Sequence, residues 1–263
     1  MEITTSYMRR RPAALAAAVV ILSLLTACAG EPPPKTAATP SATSMATPAS
    51  PYDSGMAAYA RRDYARAAEL WRPVAETGDR RAQYQVGRLY LEGQGVPKDE
   101  ALAASYLRRA AEQNDPAAQC ALGSLYLQGR GVPRDEAEAA RWIRRSAAQN
   151  FPLGQYYLGR LYQYGEGAPR NIVEADRWYR LAADQREPRA QLALGRLHQL
   201  GSGPPQDNVL AYAWYTLAMK DPQAEPETKR AAREWRAEVA ARMQTAKIKQ
   251  AEAFAASWKP GAM

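Results

Sequence analysis

Apolar residues in this chain fall on short helical stripes separated by glycine-rich breaks. Between residues 81 and 92, Ala82, Val86, Leu89 and Tyr90 recur at i, i+4, i+7 and i+8. That spacing is one face of a helix. Ala103, Tyr106 and Ala110 form a second stripe beyond residue 99. Between the two lies Gly93-Gln94-Gly95-Val96-Pro97. A glycine just past a helix end adopts the left-handed conformation without a Cβ penalty, and Val96 is expected to plug the space beneath the loop. Asp99 then stands where helix N-caps prefer Asp or Asn. Asp135 with Glu138, and Asn171 with Glu174, have the spacing of a capping box. The predicted unit is a helix–loop–helix.

This unit repeats. Gly87, Gly123, Gly159 and Gly195 are 36 residues apart, and the glycine pairs Gly93/Gly95, Gly129/Gly131, Gly165/Gly167 and Gly201/Gly203 keep the same step. A fixed period of this size is the signature of a solenoid, in which stacked neighbours complete a core that no single unit can bury. The expected fold is all-α: a right-handed α-solenoid with C-terminal capping helices. A glycine inside a helix costs about 1 kcal/mol against Ala, so Gly87 and its equivalents imply close approach of an adjacent helix. Tyr106, Trp142, Trp178 and Trp214 form one column, expected to act as aromatic wedges between repeats. Gln83, Gln119, Gln155 and Gln191 also recur, with no role that sequence alone supplies.

The ends depart from the period. Residues 53–79 read as an atypical N-terminal repeat: a first helix near 54–62, no Gly-x-Gly loop, then a second helix starting at Asp63. Four full repeats occupy 80–221. Residue 231, where another glycine would fall, is Ala231. Helices are expected instead at about 227–243 and 245–257, within a cap spanning 222–263.

With the pattern laid out, a family resemblance emerges. Ala118-Gln119, Leu122-Gly123, Tyr126, Gly129, Gly131-Val132, Asp135, Ala139, Trp142 and Ala147-Ala148 match the motif of Sel-one-like repeats, relatives of the tetratricopeptide repeats. The resemblance covers residues 55–221. Departures are Gly154 for Ala, Ala168 and Pro204 for Val, Asn171 for Asp, and His198 for Tyr. It implies a stacked-helix adaptor that works by binding proteins or peptides.

Composition narrows the function further. The net charge is +8, but basic residues are spread over every repeat rather than clustered, which argues against nucleic acid. With one histidine and two cysteines, the chain lacks the material for usual zinc sites or His-dependent triads. His198 occupies the column of Tyr90, Tyr126 and Tyr162 and reads as a packing variant. Cys120 reads as a partly buried, inert thiol. No nucleophile elbow, phosphate loop or metalloprotease motif is present. No catalytic residue, cofactor or metal is expected, and the chain is not read as an enzyme.

The N-terminus carries a different signal. Arg9-Arg10-Arg11 precedes an apolar run over residues 13–25, too short to span a bilayer as a helix. The run ends in Leu25-Thr26-Ala27-Cys28, which resembles the lipobox of bacterial lipoproteins. That resemblance implies a signal peptide at 1–27 and acylation of Cys28. Two or more acyl chains make such an anchor stable. Ala29 and Gly30 lack the Asp that retains many lipoproteins at the inner membrane, so the expected location is the periplasmic side of the outer membrane. Residues 28–52, rich in Pro, Ala and Thr, read as a lipid-anchored disordered tether.

In stacked helical hairpins the first helices line the concave face. One residue past each repeated glycine stand Arg88, Ser124, Arg160 and Arg196, expected to point away from the core. Four residues further come Glu92, Gln128, Tyr164 and Leu200, and Tyr157 lies beside the stripe. Arg and Tyr are enriched at binding hot spots. The expected partner is an envelope protein or peptide on this face. The alternative is peptidoglycan or an acidic polysaccharide held by the arginines; a cell-wall or β-lactam hydrolase is third.

Overall fold

The computed structural model describes residues 50–261. Cys28, the expected signal segment and nearly all of the expected tether lie outside the described residues. Twelve helices and no strands occur among the described residues. Helices α1 (Pro51–Ala60) and α2 (Tyr64–Glu76) form the N-terminal unit. The four repeats are α3 (Arg80–Glu92) with α4 (Glu100–Glu112), α5 (Pro116–Gln128) with α6 (Glu136–Ala148), α7 (Pro152–Tyr164) with α8 (Ile172–Asp184), and α9 (Pro188–Leu200) with α10 (Asn208–Lys220). Helices α11 (Pro226–Ala240) and α12 (Thr245–Ser257) close the C-terminal end.

Each hairpin packs on itself, and each second helix packs on the next first helix. First helices also approach one another across neighbouring repeats, as α5 with α7. Within the four repeats no pair of second helices does so to the same degree. The array therefore bends towards its first helices, which line the inner face.

The two glycines of each loop do different jobs. Gly129 caps α5 with a left-handed φ of 67°, its N–H donating to the Leu125 carbonyl. Gly131 serves the stack: a Cβ there would lie 1.9 Å from the Glu100 carbonyl oxygen of the preceding repeat. Close approach at the mid-helix glycines is also present, and it comes from the same hairpin. A Cβ on Gly159 would meet the Tyr179 ring at 2.6 Å.

Asp135 accepts from the backbone N–H groups of Ala137 and Glu138, both at 2.9 Å. The returning half of the capping box does not form. The Asp135 N–H donates instead to the Tyr126 carbonyl at 3.0 Å, and Asn171 to Tyr162 at 2.8 Å. With that N–H already satisfied by the hairpin, Glu138 and Glu174 turn outward and pair with Arg141 and Arg177.

The recurring glutamines form a ladder through the stack. Gln83 Nε2 donates to the Ala75 carbonyl at 3.0 Å, and its Oε1 accepts from Gln113 Nε2 at 2.8 Å. Gln119 repeats this with Ala111 and Gln149, at 3.1 and 2.8 Å. Gln155 accepts from Gln185 at 2.8 Å and donates to Asn150. Each buried amide thus ties one helix end to the next repeat, where an unpaired buried amide would cost about 1–3 kcal/mol. The fourth rung fails: Asp221 stands where Gln113, Gln149 and Gln185 stood, a carboxylate has no donor, and Gln191 Oε1 is buried without a partner.

The N-terminal unit is more complete than the sequence pattern suggested. Helix α1 starts at Pro51, and Gly55 plays the part of the repeated glycine, its Cβ position falling 2.2 Å from the Trp71 indole nitrogen. That indole N–H donates to the Tyr52 carbonyl at 3.0 Å. The unit is a full hairpin with a shorter connection, residues 61–63 in place of the longer Gly-x-Gly loop.

The aromatic column is less uniform than expected. Tyr106 reaches the preceding hairpin through Glu76 at 2.7 Å, and burial with that hydrogen bond pushes its pKa up to about 12. Trp142 and Trp214 are buried, whereas Trp178 is only half-buried. Trp214 packs against Phe254 and Trp258 of the C-terminal helix α12. His198 is buried in its core column, and Cys120 is fully rather than partly buried.

Candidate functional site

The inner column is not a row of solvated cations. Residues one past the repeated glycine sit where neighbouring first helices converge, so their stems are enclosed. Arg88 is buried at 6% exposure and Ser124 at 4%. This corrects the expectation that these positions turn freely away from the core. Each one finds different company.

Arg88 is held inside the first repeat. It donates to Tyr59 Oη at 3.1 Å and to Gln85 Oε1 at 3.4 Å, and meets Glu92 at 3.5 Å. Its guanidinium faces the Tyr59 and Tyr84 rings at 5.7 and 5.8 Å. Burial alone would lower its pKa; Tyr84, Glu92 and Tyr59 outweigh that and raise it. Gln128 donates to Ser124 Oγ at 2.8 Å, which closes the second position on itself.

Arg160 lies 5.8 Å from the ring centres of both Tyr157 and Tyr164. Its nearest carboxylate is Glu166, at 3.9 Å. Around it stand Tyr156 and Tyr179, whose hydroxyls burial keeps above their ordinary pKa and hence protonated. Tyr179 donates to Gln163 Oε1 at 2.6 Å. Close by, Arg189 pairs with Glu187 and Glu225, and burial holds the Glu187 carboxyl above its usual range.

Arg196 is covered. It donates to Gln199 Oε1 at 3.0 Å, the same oxygen that accepts from Tyr215 at 2.6 Å. The Trp235 ring of α11 lies 5.0 Å from its guanidinium. Helix α11 packs on α9, in the place the next first helix would take. The structure therefore unites Arg160, Tyr157 and Tyr164 in one patch and keeps Arg88 with Glu92 in another. Arg196 is enclosed by the cap.

Several neighbours escaped the sequence reading. Tyr59, Tyr84 and Gln85 around Arg88, and Trp235 over Arg196, lie in other helices or other stripes. Glu166 sits at the variable position of the Gly-x-Gly loop, where only proximity reveals it. The pairing of Tyr179 with Gln163 and Tyr215 with Gln199 did leave a signal. Both members change together from Leu107 with Leu91 and Ile143 with Leu127. Among the described residues, no group of three His, Cys, Asp or Glu side chains is placed to hold a metal, and no helix is long and apolar enough to cross a membrane.

Comparison with known proteins agrees with this architecture. The family model for the Sel1 repeat matches residues 80–115, 116–151, 152–186 and 188–220. A Sel1 repeat protein from Oxalobacter formigenes is 27% identical, with a TM-score of 0.61 over 75% of this chain and 89% of its own. A protective antigen of uropathogenic Escherichia coli, displaying the same fold, is 27% identical with a TM-score of 0.58 over 72% of this chain. The present chain spans only 45% of that antigen's length. A sel1 repeat protein from Klebsiella pneumoniae, 18% identical over 71% of this chain and 98% of its own, shares the fold at a TM-score of 0.50. A search of curated proteins returns no match. The chain belongs to the Sel1 repeat family, an α-solenoid family whose members are generally protein-interaction scaffolds and generally not catalysts.

Proposed function

We propose that this protein is a non-enzymatic adaptor of the cell envelope, tethered by an acylated Cys28 and binding a protein or peptide partner on its inner face. The observation that carries the binding reading is the inner patch where Arg160 meets the exposed Tyr164, over a Tyr157 that is itself buried rather than open to a partner as expected. It combines a charged fork with aromatic surface, the composition of binding hot spots. In it Tyr164 remains 54% exposed. The lipobox-like Leu25-Thr26-Ala27-Cys28 supports the anchor, and its flanking Ala29-Gly30 favours the periplasmic side of the outer membrane.

The anchor is tested by fractionation: Cys28→Ser should move the protein from the membrane pellet to the soluble fraction, and an unchanged pellet removes the anchor. The adaptor role is tested by photocrosslinking in intact cells from Gln128 and Tyr164. A single protein crosslinked from these positions but not from Arg141, on an outer second helix, is the expected result. Recovery of a sacculus fragment instead would favour the peptidoglycan or acidic-polysaccharide reading, which rests on the inner arginines alone.

A further inference from the structure

Of the three inner arginines, Arg160 alone makes no side-chain hydrogen bond to a described residue. Arg88 donates through both terminal nitrogens, to Tyr59, Gln85 and Glu92, and keeps only a buried Nε unpaired. Arg196 is bound to Gln199 and roofed by Trp235. The Arg160 guanidinium makes no hydrogen bond to any described residue: its Nη1 is buried without a partner, and Nη2 lies 3.9 Å from Glu166, beyond hydrogen-bond range. A guanidinium presents five N–H donors in a fork that matches a carboxylate. Leaving such donors unmade next to a low-dielectric wall is costly, so an oxygen delivered there gains more than it would at an open surface.

The surface beside this fork is apolar. Tyr164 and Leu200 are 54% and 55% exposed and occupy the same register in adjacent repeats. The corresponding positions in the first two repeats are Glu92 and Gln128. The rim thus changes from polar to apolar at the repeat whose arginine is open. Single exposed apolar residues are ordinary; two in register beside an unsatisfied cation define a surface with a particular complement.

We infer that the inner face of the third and fourth repeats takes an extended partner segment in which a carboxylate side chain lies next to large apolar side chains. The carboxylate pairs with Arg160, displacing the distant Glu166, and the apolar side chains cover Tyr164 and Leu200. Tyr164 and Leu200 stand one repeat apart, and an extended chain rises about 3.3 Å per residue, so apolar side chains a few residues apart along the partner cover both. This inference rests on the adaptor reading above and adds the chemistry of the partner.

Fluorescence anisotropy with the full-length protein tests it. The probes are fluorescein-labelled peptides of alternating Asp and Leu, with matched peptides carrying Asn for Asp or Ser for Leu. The Asp–Leu peptide should bind at least about tenfold more tightly than either, in line with loss of one charge-assisted pair. Arg160→Gln should bring the Asp–Leu peptide down to the Asn–Leu level without further weakening the latter. Glu166→Gln, which removes a competing carboxylate and leaves Arg160 in place, should strengthen Asp–Leu binding severalfold. Equal affinity for Asp and Asn peptides, or equal weakening of both by Arg160→Gln with helical circular dichroism retained, overturns the inference. So does binding of polygalacturonate with no peptide binding. If the crosslinks from Gln128 and Tyr164 still capture one protein while the peptide series is indifferent, the adaptor reading stands and only the acidic–apolar chemistry falls. If those crosslinks capture nothing, the adaptor reading itself falls.

Discussion

The first two repeats and the last two close their hairpins differently. In repeats 1 and 2 the residue lying on the mid-helix glycine is Leu107 or Ile143, and its neighbour at the end of the first helix is Leu91 or Leu127. In repeats 3 and 4 the same places hold Tyr179 with Gln163 and Tyr215 with Gln199, each pair joined at 2.6 Å. The backbone is the same in both cases, because the glycine leaves a slot that accepts a branched aliphatic or a flat ring. The seam differs. One half is apolar and self-contained, with its inner arginine tied down. The other buries a tyrosine hydroxyl against a glutamine amide in each hairpin, next to the inner arginine. Folding requires only that the slot be filled, so the choice of filling is free to serve another purpose.

The comparison can be broken by moving one member of a pair. Leu107→Tyr should fit the slot over Gly87 but bury a hydroxyl opposite Leu91, lowering unfolding free energy by about 2 kcal/mol. Adding Leu91→Gln supplies the acceptor and should recover most of the loss in a urea double-mutant cycle. Failure to recover would show that the two seams are not equivalent. The converse change, Tyr179→Phe, deletes a hydroxyl that Gln163 accepts from and should cost about 1 kcal/mol by the same measurement.

A pH effect marks the fourth repeat. His198 replaces the column tyrosine, and burial followed by the Arg180 charge lowers its pKa from 6.5, against smaller opposing effects of Asp176 and Asp207. The unfolded chain then binds more protons than the folded one as pH falls below about 6.5, so stability is full above that value and declines towards the folded pKa. Urea midpoints at pH 7.5 and 5.5 should differ more for the native chain than for His198→Tyr, and an identical difference removes the assignment. At the end of the glutamine ladder, Asp221→Ala removes the acceptor of the Gln223 N–H and should lower stability by about 1 kcal/mol in the same urea measurement. Smallest of all, Arg186 has a φ of 63° where Asn114 and Asn150 stand in earlier repeats. Arg186→Asn should add about 0.5 kcal/mol, because asparagine tolerates the left-handed region.

Most of the fold was legible because each recurring residue solves a local problem that sequence displays. Gly129 ends a helix, Asp135 begins one, and Gly123 thins a contact. The capping box misled because Glu138 has the right spacing, while the Asp135 N–H it would serve was already taken by a carbonyl from the partner helix. The glutamine ladder was visible as a repeat and opaque as chemistry, since Gln83 finds one partner at Ala75 in the preceding unit and the other at Gln113, thirty residues on at the far end of its own hairpin. The candidate site was legible only as a column. Which arginine stays open depends on Tyr59 and Trp235, contributed by elements at opposite ends of the chain, and no spacing within a repeat encodes that.

The glutamine ladder has a consequence for how the array can change length. The first three junctions present the same two half-connections, a glutamine amide donor on one side and an oxygen acceptor at the end of the preceding unit on the other. A duplicated 36-residue unit therefore meets its own complement wherever it is inserted between units. The last repeat carries Asp221 in place of the glutamine that would hold Gln191, so a further copy added after it would follow an incomplete rung. Such a chain can grow or shrink from within by gene duplication while its terminus stays sealed. Duplication of residues 116–151 should yield a protein with proportionally more helix and undiminished cooperativity, whereas the same unit placed after residue 221 should fray.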